Sequence, residues 1–123
     1  MKLTAILHTT FLSADLARSR VFYGDIFGLL EDPLRSVMSF DGIWHVVTST
    51  QQIHPMVLPN PEVGLQRAVH GGRDRHVAYG VSDIAELRSR LIAAKIKFTE
   101  SSTGRVALFC RDPDDNALEF IAN

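Results

Sequence analysis

Two histidines and one glutamate could together bind a metal ion. His8 and His76 each lie in an apolar stretch of strand-like length, and Glu119 lies in the apolar stretch at residues 117–121. Imidazole nitrogens and carboxylate oxygens bind iron, manganese, zinc and nickel, and a set of two histidines and one carboxylate leaves coordination positions open for a substrate. We therefore predict that His8, His76 and Glu119 bind one divalent metal ion.

The neighbours of these residues leave room for such an ion. Side chains alternate between the two faces of a strand, so His76 shares its face with Ala78 and Gly80, which are small. Glu119 faces away from the two large apolar residues beside it in the sequence. A carboxylate in so apolar a strand needs a partner or water, which a metal site would supply.

The order strand, helix, three strands occurs twice along the chain. A shift of 68 residues (76 minus 8) lays His8 on His76 and Asp15 on Asp83, the residue that begins the second predicted helix. Two such units can each bury one sheet face under a helix and leave the opposite faces free to curl around a cleft. The repeat strengthens the metal-site prediction, because it puts the two histidines at equivalent positions.

The elements of this repeat are read from apolar periodicity and from turn and cap residues. In the first half we predict a strand at residues 2–11, a helix capped by Ser13 or Asp15 and ending at Gly28, and three strands between residues 29 and 58. In the second half we predict strands at residues 75–81, 98–101, 105–111 and 117–121, and a helix capped by Ser82 or Asp83 whose apolar face includes Leu87, Leu91 and Ile92.

The predicted fold is α+β, with two βαβββ modules that form a curled mixed sheet around a half-barrel cleft and carry their helices on the outer face. A chain of 123 residues that is 46% hydrophobic suits one domain. Module one is expected at about residues 1–60, a linker rich in Pro and Gly at about 61–73, and module two at about 74–123.

The composition argues against several classes of partner. Thirteen Lys and Arg residues stand against fourteen Asp and Glu, so a net charge of -1 gives no basic surface for nucleic acid or an anionic membrane. Cys110 is the only cysteine, which excludes an internal disulfide and a Cys-rich zinc site. We expect a cytoplasmic protein without a membrane-spanning segment, in which Cys110 is a buried small residue rather than a catalytic thiol.

Three sequence segments resemble a known superfamily. They are residues 8–28, with Phe22-Tyr23 followed by Phe27-Gly28; the segment R-H-V-A-Y-G-V-S-D at 75–83; and the segment F-C-R-D-P-D-D-N-A-L-E-F at 109–120. Together they are similar to the vicinal-oxygen-chelate superfamily, which includes glyoxalase I, methylmalonyl-CoA epimerase, extradiol dioxygenases, fosfomycin-resistance enzymes and bleomycin-resistance proteins. The similarity spans essentially the whole chain.

The resemblance implies four positions for metal ligands, on the first and last strands of both modules. His8, His76 and Glu119 match three of them, and His54 resembles the fourth, where glyoxalase I carries Glu and the epimerases carry Gln. For His54 three roles stay open: a fourth ligand, a proton-transfer group near the metal, or a surface strand residue.

The resemblance also implies a function. It points to a glyoxalase-like, metal-dependent enzyme of the lyase or isomerase type that acts on a small oxygen-chelating molecule, with Lewis-acid catalysis and with Glu119 or His54 moving a proton. The alternatives are an extradiol-type dioxygenase and a binding protein without turnover, like the bleomycin-resistance members. A homodimer is expected, with the cleft built within one chain or across two.

Further residues are candidates for substrate binding. Arg105 and Arg111 share strand parity with Phe109, so they could hold a substrate carboxylate or phosphate while Phe109 forms a wall of the cavity. Exposed strand ends and ordinary core packing are the competing interpretations. Trp44 and His45 are neighbours in a predicted strand, so one of them faces the cleft and the other faces the opposite side of the sheet. The sequence does not show which of the two faces the cleft.

Two residues outside these strands also carry expectations. His70 is expected to be solvated in the Gly-rich linker. Asp115 replaces the usual glycine of a turn, and because Asp tolerates left-handed backbone angles, the turn is expected to survive.

Overall fold

The computed structural model describes residues 1–123, which divide into unit 1, Met1–Pro61, and unit 2, Glu62–Asn123. Unit 1 contains the strands β1 (His8–Leu12), β2 (His45–Thr48) and β3 (Gln51–Met56) and one helical segment. Unit 2 contains the strands β4 (His76–Val81), β5 (Phe98–Glu100), β6 (Ala107–Arg111) and β7 (Ala117–Ala122) and the helix α2 (Ile84–Ala93).

The sheet of unit 1 has the strand order β1-β3-β2, in which β1 and β3 are parallel and β2 and β3 antiparallel. The predicted strand at residues 2–11 is shorter than expected, because β1 begins at His8, which pairs with Gln52 one residue into β3. Only Gln51 of β3 lies beyond this pair, so the contact of the earlier residues with β3 is limited to its start, where the Leu7 carbonyl oxygen accepts a hydrogen bond from Gln52 N at 3.0 Å.

The first of the three strands expected between residues 29 and 58 is reduced to one bridge. Glu31 pairs with His45, and hydrogen bonds from Val46 N to Leu30 O and from Asp32 N to Trp44 O flank that bridge. The next residue is Pro33, which has no amide hydrogen to continue the ladder.

The helical segment of unit 1 begins where the sequence predicts. The Asp15 carboxylate accepts a hydrogen bond from Ala17 N and caps α1 (Leu16–Ser19), which continues as a π-helix, Arg20–Ile26. This segment buries Phe22 and Tyr23. It is followed by Gly28, whose φ of 74° is the left-handed conformation that ends many helices.

The sheet of unit 2 has the order β4-β7-β6-β5, with β4 parallel to β7 and the other pairs antiparallel. All four strands lie within two residues of the predicted bounds. The Asp83 carboxylate caps α2 by accepting from Glu86 N, and Leu87 and Leu91 are buried. Ile92 was wrongly placed on the apolar face, since it is 61% exposed.

Two further features of unit 2 follow from the sequence. Asp115 adopts a φ of 71°, so the turn forms without its usual glycine, and Cys110 is buried as expected. The segment predicted as a linker at about residues 61–73 belongs almost entirely to unit 2 and is held there by hydrogen bonds from Arg67 to Asp74 and between His70 and Thr99. No helix of the structure is long and apolar enough to cross a bilayer.

Candidate functional site

In unit 2, the register of the sheet brings one row of side chains onto a common face. Thr99 pairs with Phe109, Phe109 with Glu119, and Glu119 with Ala78, across β5, β6, β7 and β4. Because directly paired residues point to the same side of a sheet, these four share a face with His76, two residues before Ala78. The opposite face carries Leu108, Leu118 and Phe120, which are buried.

Glu119 is the charged centre of this face. It is only 3% exposed, and it has two partners: His76 Nε2 lies 3.2 Å from Oε2, and Arg105 Nη2 lies 3.1 Å from Oε1. The buried carboxylate thus has partners, as expected from the sequence. The structure brings together His76 and Glu119, two of the predicted ligands, and adds Arg105 from the segment just before β6.

The hydrogen bonds of His76 decide which ring nitrogen faces Glu119. His76 Nδ1 lies 2.9 Å from the backbone carbonyl oxygen of Asp74, which can only accept, so Nδ1 carries the hydrogen. In the neutral ring the Nε2 lone pair then points at a carboxylate oxygen. Two facing lone pairs repel, so a proton or a metal ion is needed between them.

Phe109 forms the apolar wall of this face. Its ring makes edge contacts with the His76 ring at 5.4 Å and with the His70 ring at 4.7 Å, measured between ring centroids. His70 is not the free linker residue that the sequence suggested, because it is half-buried and its Nδ1 lies 2.7 Å from Thr99 Oγ1. The adjacent Gly71 permits this packing, since a Cβ there would lie 3.3 Å from Phe109 Cβ.

A cavity of about 290 Å³ adjoins this wall. It is lined by Gly71 and by residues of β5 and β6 and the segment before β5, among them Thr99, Phe109, Cys110 and Arg111. Burial, with a smaller contribution from nearby Asp112, raises the pKa of Cys110 to about 12. The thiol therefore stays protonated at neutral pH and is a poor nucleophile.

Arg111 is committed to structural contacts. Its Nη1 donates to Asp74 Oδ2 at 2.9 Å and to the Asp115 carbonyl at 2.8 Å, and its Nη2 donates to the Ala68 carbonyl at 2.7 Å. Partial burial alone would raise the pKa of Asp74, but hydrogen bonds from Arg111, from Arg75 N and from Arg67 lower it. The predicted role of Arg111 in substrate binding stays a prediction, whereas its part in holding residues 62–74 onto β6 is direct.

In unit 1, three aromatic rings stack beside one another. The ring centroids of His8 and His54 lie 4.3 Å apart, and those of Trp44 and His54 lie 4.8 Å apart, both in near-parallel geometry. Since β3 lies between β1 and β2, the two outer rings flank His54. Trp44 therefore faces the same side as His8 and His54, which answers the question that the sequence left open.

His54 is neutral at physiological pH. Partial burial, together with smaller contributions from His8 and Arg35, lowers its pKa to about 4, and Asp32 acts in the opposite direction. Its Nε2 lies 2.8 Å from Gln52 Oε1. Neither Asp32 nor Gln52 stands out in the sequence, because single polar residues near a strand are common; only the side-chain hydrogen bonds single them out.

His45 lies on the opposite face, fully buried against Tyr23 with ring centroids 5.6 Å apart. Neither ring nitrogen has a hydrogen-bond partner. Burial lowers the pKa of His45, and the Glu31 carboxylate and the Leu29 carbonyl oppose this shift without reversing it. His45 is thus a neutral core residue.

Each unit supplies a pair of predicted ligands. His8 and His54 are in contact in unit 1, and His76 and Glu119 are in contact in unit 2. Within either unit, no group of three or more His, Cys, Asp or Glu side chains is arranged to hold a metal ion. The full ligand set therefore stays a prediction.

Comparison with known proteins places the sequence in context. The family model described as the Glyoxalase/Bleomycin resistance protein/Dioxygenase superfamily matches residues 5–120. A search of the curated proteins found no match.

Solved structures resemble the whole chain. A glyoxalase-family protein from Bacillus anthracis has a TM-score of 0.79 at 24% identity, with 100% of this chain and 98% of that chain covered. The fosfomycin resistance protein FosX from Listeria monocytogenes has a TM-score of 0.77 at 18% identity, with 99% and 93% covered. The trypanothione-dependent glyoxalase I from Leishmania major has a TM-score of 0.73 at 22% identity, with 98% and 87% covered. These likenesses confirm the predicted fold of two βαβββ modules.

Proposed function

Since the chain belongs to the Glyoxalase/Bleomycin resistance protein/Dioxygenase superfamily, we propose that it is a divalent-metal-dependent enzyme. The proposed reaction is of the glyoxalase-like lyase or isomerase type, on a small molecule that offers oxygen atoms to the metal. The proposed ligands are His8, His54, His76 and Glu119, and the candidate metals are iron, manganese, zinc and nickel.

The observation that carries this proposal is the geometry of His76 and Glu119. The Asp74 carbonyl holds the ring hydrogen on His76 Nδ1, so Nε2 presents a lone pair to Glu119 Oε2 at 3.2 Å. A nitrogen and an oxygen donor that face each other in this way are suited to share a cation. A backbone carbonyl on the remote nitrogen is also the usual way in which proteins orient a metal-binding histidine.

Unit 1 supports the proposal with a neutral donor, His54. A histidine must be unprotonated to bind a metal, and the pKa of His54 at about 4 meets this condition at neutral pH. Neither unit supplies three ligands, so the proposal requires residues of both units, from one chain or from two chains of the proposed homodimer.

The protein side chains have distinct tasks in the proposed reaction. A bound divalent ion supplies Lewis-acid polarisation of substrate oxygens. Glu119, whose carboxylate lies at the centre of its sheet face, is the proposed group that takes up or returns a proton. Arg105 is 61% exposed beyond its contact with Glu119, so its remaining donors are open to an anionic substrate group.

Phe109 excludes water from one side of His76 in this proposal, and the adjoining cavity of about 290 Å³ has room for an apolar part of the substrate. The proposed location is the cytoplasm, where a single reduced cysteine is usual.

One observation favours a second candidate function. Arg105 Nη2 lies 3.1 Å from Glu119 Oε1, so an arginine already neutralises the carboxylate without a metal ion. A site balanced in this way could bind an anionic small molecule without turnover, like the bleomycin-resistance members of the superfamily.

Elemental analysis separates the two candidates. Protein purified without chelator is expected to carry about one equivalent of a divalent metal per chain, because four donors complete one site. His76→Ala should lose this metal, whereas the matched control His70→Ala, in the same unit, should keep it. Protein that carries no metal and binds none of the four candidate ions would contradict the proposal and favour the binding protein.

A further inference from the structure

A chain of two hydrogen bonds connects Asp32 to His54 through Gln52. Gln52 Nε2 lies 2.8 Å from Asp32 Oδ2, and Gln52 Oε1 lies 2.8 Å from His54 Nε2. The other carboxylate oxygen of Asp32 accepts from Leu34 N at 2.9 Å, so the carboxylate is itself held in place.

The donor and acceptor properties of these groups decide which atom carries each hydrogen. An ionised carboxylate can only accept, so the NH₂ group of Gln52 must face Asp32 and its carbonyl oxygen must face His54. That oxygen is also only an acceptor, so His54 Nε2 must carry the ring hydrogen. In the neutral ring, His54 Nδ1 is then left with a lone pair.

We propose that Asp32 and Gln52 are positioning residues that hold His54 in its Nε2–H tautomer and thereby select Nδ1 as the nitrogen that binds a cation or accepts a proton. The tautomer follows from the hydrogen bonds alone, and the use of Nδ1 rests on the proposed function. Trp44 and His8 flank the imidazole, so ring stacking restrains the orientation that the two hydrogen bonds set.

Unit 2 orients its histidine by the other nitrogen. The Asp74 carbonyl accepts from His76 Nδ1, and Nε2 faces Glu119 Oε2 at 3.2 Å. His76 Nδ1 should therefore carry a hydrogen in the same spectrum in which His54 Nδ1 carries none, so His76 serves as an internal reference for His54.

Long-range ¹⁵N–¹H correlation spectra of chelator-treated, ¹⁵N-labelled protein at neutral pH test the proposal directly. The expected pattern has a protonated Nε2 and an unprotonated Nδ1 for His54, and a protonated Nδ1 for His76. His54→Gln assigns the signals by removing one set. A His54 ring with its hydrogen on Nδ1, or an even mixture of tautomers, would overturn the proposal.

Asp32→Asn provides a sharper test, because it should reverse the donor and acceptor in both hydrogen bonds that link position 32 to His54. With Asn Oδ1 accepting from Leu34 N, the amide NH₂ at position 32 faces Gln52, whose own amide must turn to accept. Gln52 then donates to His54 Nε2, and the ring hydrogen moves to Nδ1. Asp25→Asn, an equal charge change at an exposed residue of unit 1, should leave the tautomer unchanged. An unchanged His54 pattern in Asp32→Asn would refute the proposal that Asp32 and Gln52 set the tautomer of His54.

Gln52→Met covers the case in which Asp32→Asn does not fold. It keeps the side-chain length and removes both hydrogen bonds, so His54 should become a mixture of tautomers, and a single Nε2–H pattern would overturn the proposal. If the protein binds metal, Gln52→Met should weaken that binding about 10- to 100-fold, as is usual for groups that orient a ligand. Unaltered metal affinity would refute the use of Nδ1, whereas a protein without metal would refute only the proposed function and leave the tautomer result intact.

Discussion

His54 in unit 1 and Glu119 in unit 2 occupy matching positions. His54 pairs with Thr10 and Glu119 pairs with Ala78, and Thr10 and Ala78 are 68 residues apart (78 minus 10), the same spacing as His8 and His76. The duplicated strand pairing thus delivers one polar group to the same place in each unit.

The surroundings of these two groups differ in charge. In unit 2 the carboxylate contacts His76 and Arg105, both of them positively charged or able to be so. In unit 1 the imidazole is stacked between rings and its pKa is lowered to about 4. One unit therefore offers an anionic donor and the other a neutral one, which is the combination that an open site for a divalent cation needs.

The opposite, buried faces of the two sheets also carry ionisable residues. His45 pairs with Ile53 and Cys110 pairs with Leu118, so each sheet carries a buried ionisable group on the face opposite His54 or Glu119. Burial lowers the pKa of His45 and raises that of Cys110 to about 12, which keeps both uncharged at neutral pH. The lesson is that strand pairing fixes the location of a side chain, while the neighbours from loops and helices decide its charge.

The largest expected difference between the units is in metal affinity. Glu119→Gln removes the only anionic donor, so it should weaken metal binding by about 100-fold or more, at or beyond the range for groups that merely orient ligands. His54→Gln should cost less, because an amide oxygen can still bind a metal. Calorimetric titration measures both, with Glu100→Gln as an exposed control in unit 2. A larger loss for His54→Gln would reverse the assigned roles.

The next effect is a difference in acid stability. The pKa values of His45 and His54 are lower in the folded protein than in the unfolded chain, so as the pH falls the unfolded chain takes up protons first. The contribution of these histidines to the free energy of unfolding is therefore complete above pH 6.5 and decreases below it, for His54 down to about pH 4. Each group can contribute a slope of about 1.4 kcal/mol per pH unit. In unit 2 the pKa of Asp74 is lowered from its usual value of 3.8, so this carboxylate contributes full stability above pH 3.8. That contribution is lost only below pH 3.8, as the carboxylate becomes protonated.

Two native reporters separate the units in this experiment. Trp44, the only tryptophan, reports on unit 1 by fluorescence, and buried Cys110 reports on unit 2 through its reactivity with 4,4′-dithiodipyridine. In chelator-treated protein, the denaturant midpoint at Trp44 should fall first as the pH is lowered from 6.5, and His45→Leu should flatten that dependence. Equal acid sensitivity at both reporters would contradict the comparison.

The smallest expected effect concerns the helix caps. Asp15→Ala and Asp83→Ala each remove a side-chain acceptor from a helix N-terminus and should lower the free energy of unfolding by about 1 kcal/mol. Denaturant titration should show the loss at Trp44 for Asp15→Ala and at Cys110 for Asp83→Ala. Asp25→Ala, at an exposed helical position, should change little; an effect as large as that of the caps would mean that charge rather than capping is responsible.

Much of this arrangement could be predicted from the sequence because it depends on local chemistry. Asp15 and Asp83 were each one of two residues expected to cap a helix, and the strand at His76 follows from a run of apolar residues with the right length. The positive φ of Asp115 follows from the tolerance of Asp for that conformation. These features need only neighbours a few residues away.

The remaining features depend on partners distant in the sequence. The strand predicted at residues 2–11 starts only at His8, because β3 has a single residue, Gln51, beyond the one that pairs with His8. The orientation of Trp44 is set by its contact with His54, and His70 is held by Thr99, 29 residues away. The Asp32–Gln52–His54 chain likewise joins side chains whose spacing in the sequence carries no recognisable pattern.

One NMR titration tests most directly whether both units bind the same cation. Zn²⁺ is added to chelator-treated protein while the imidazole signals of all five histidines are followed. The proposal predicts that His8, His54 and His76 change together with one affinity and saturate at about one equivalent, while His45 and His70 stay unchanged. If His76 responded alone, or with an affinity different from that of His8 and His54, the account of a shared metal site would be wrong.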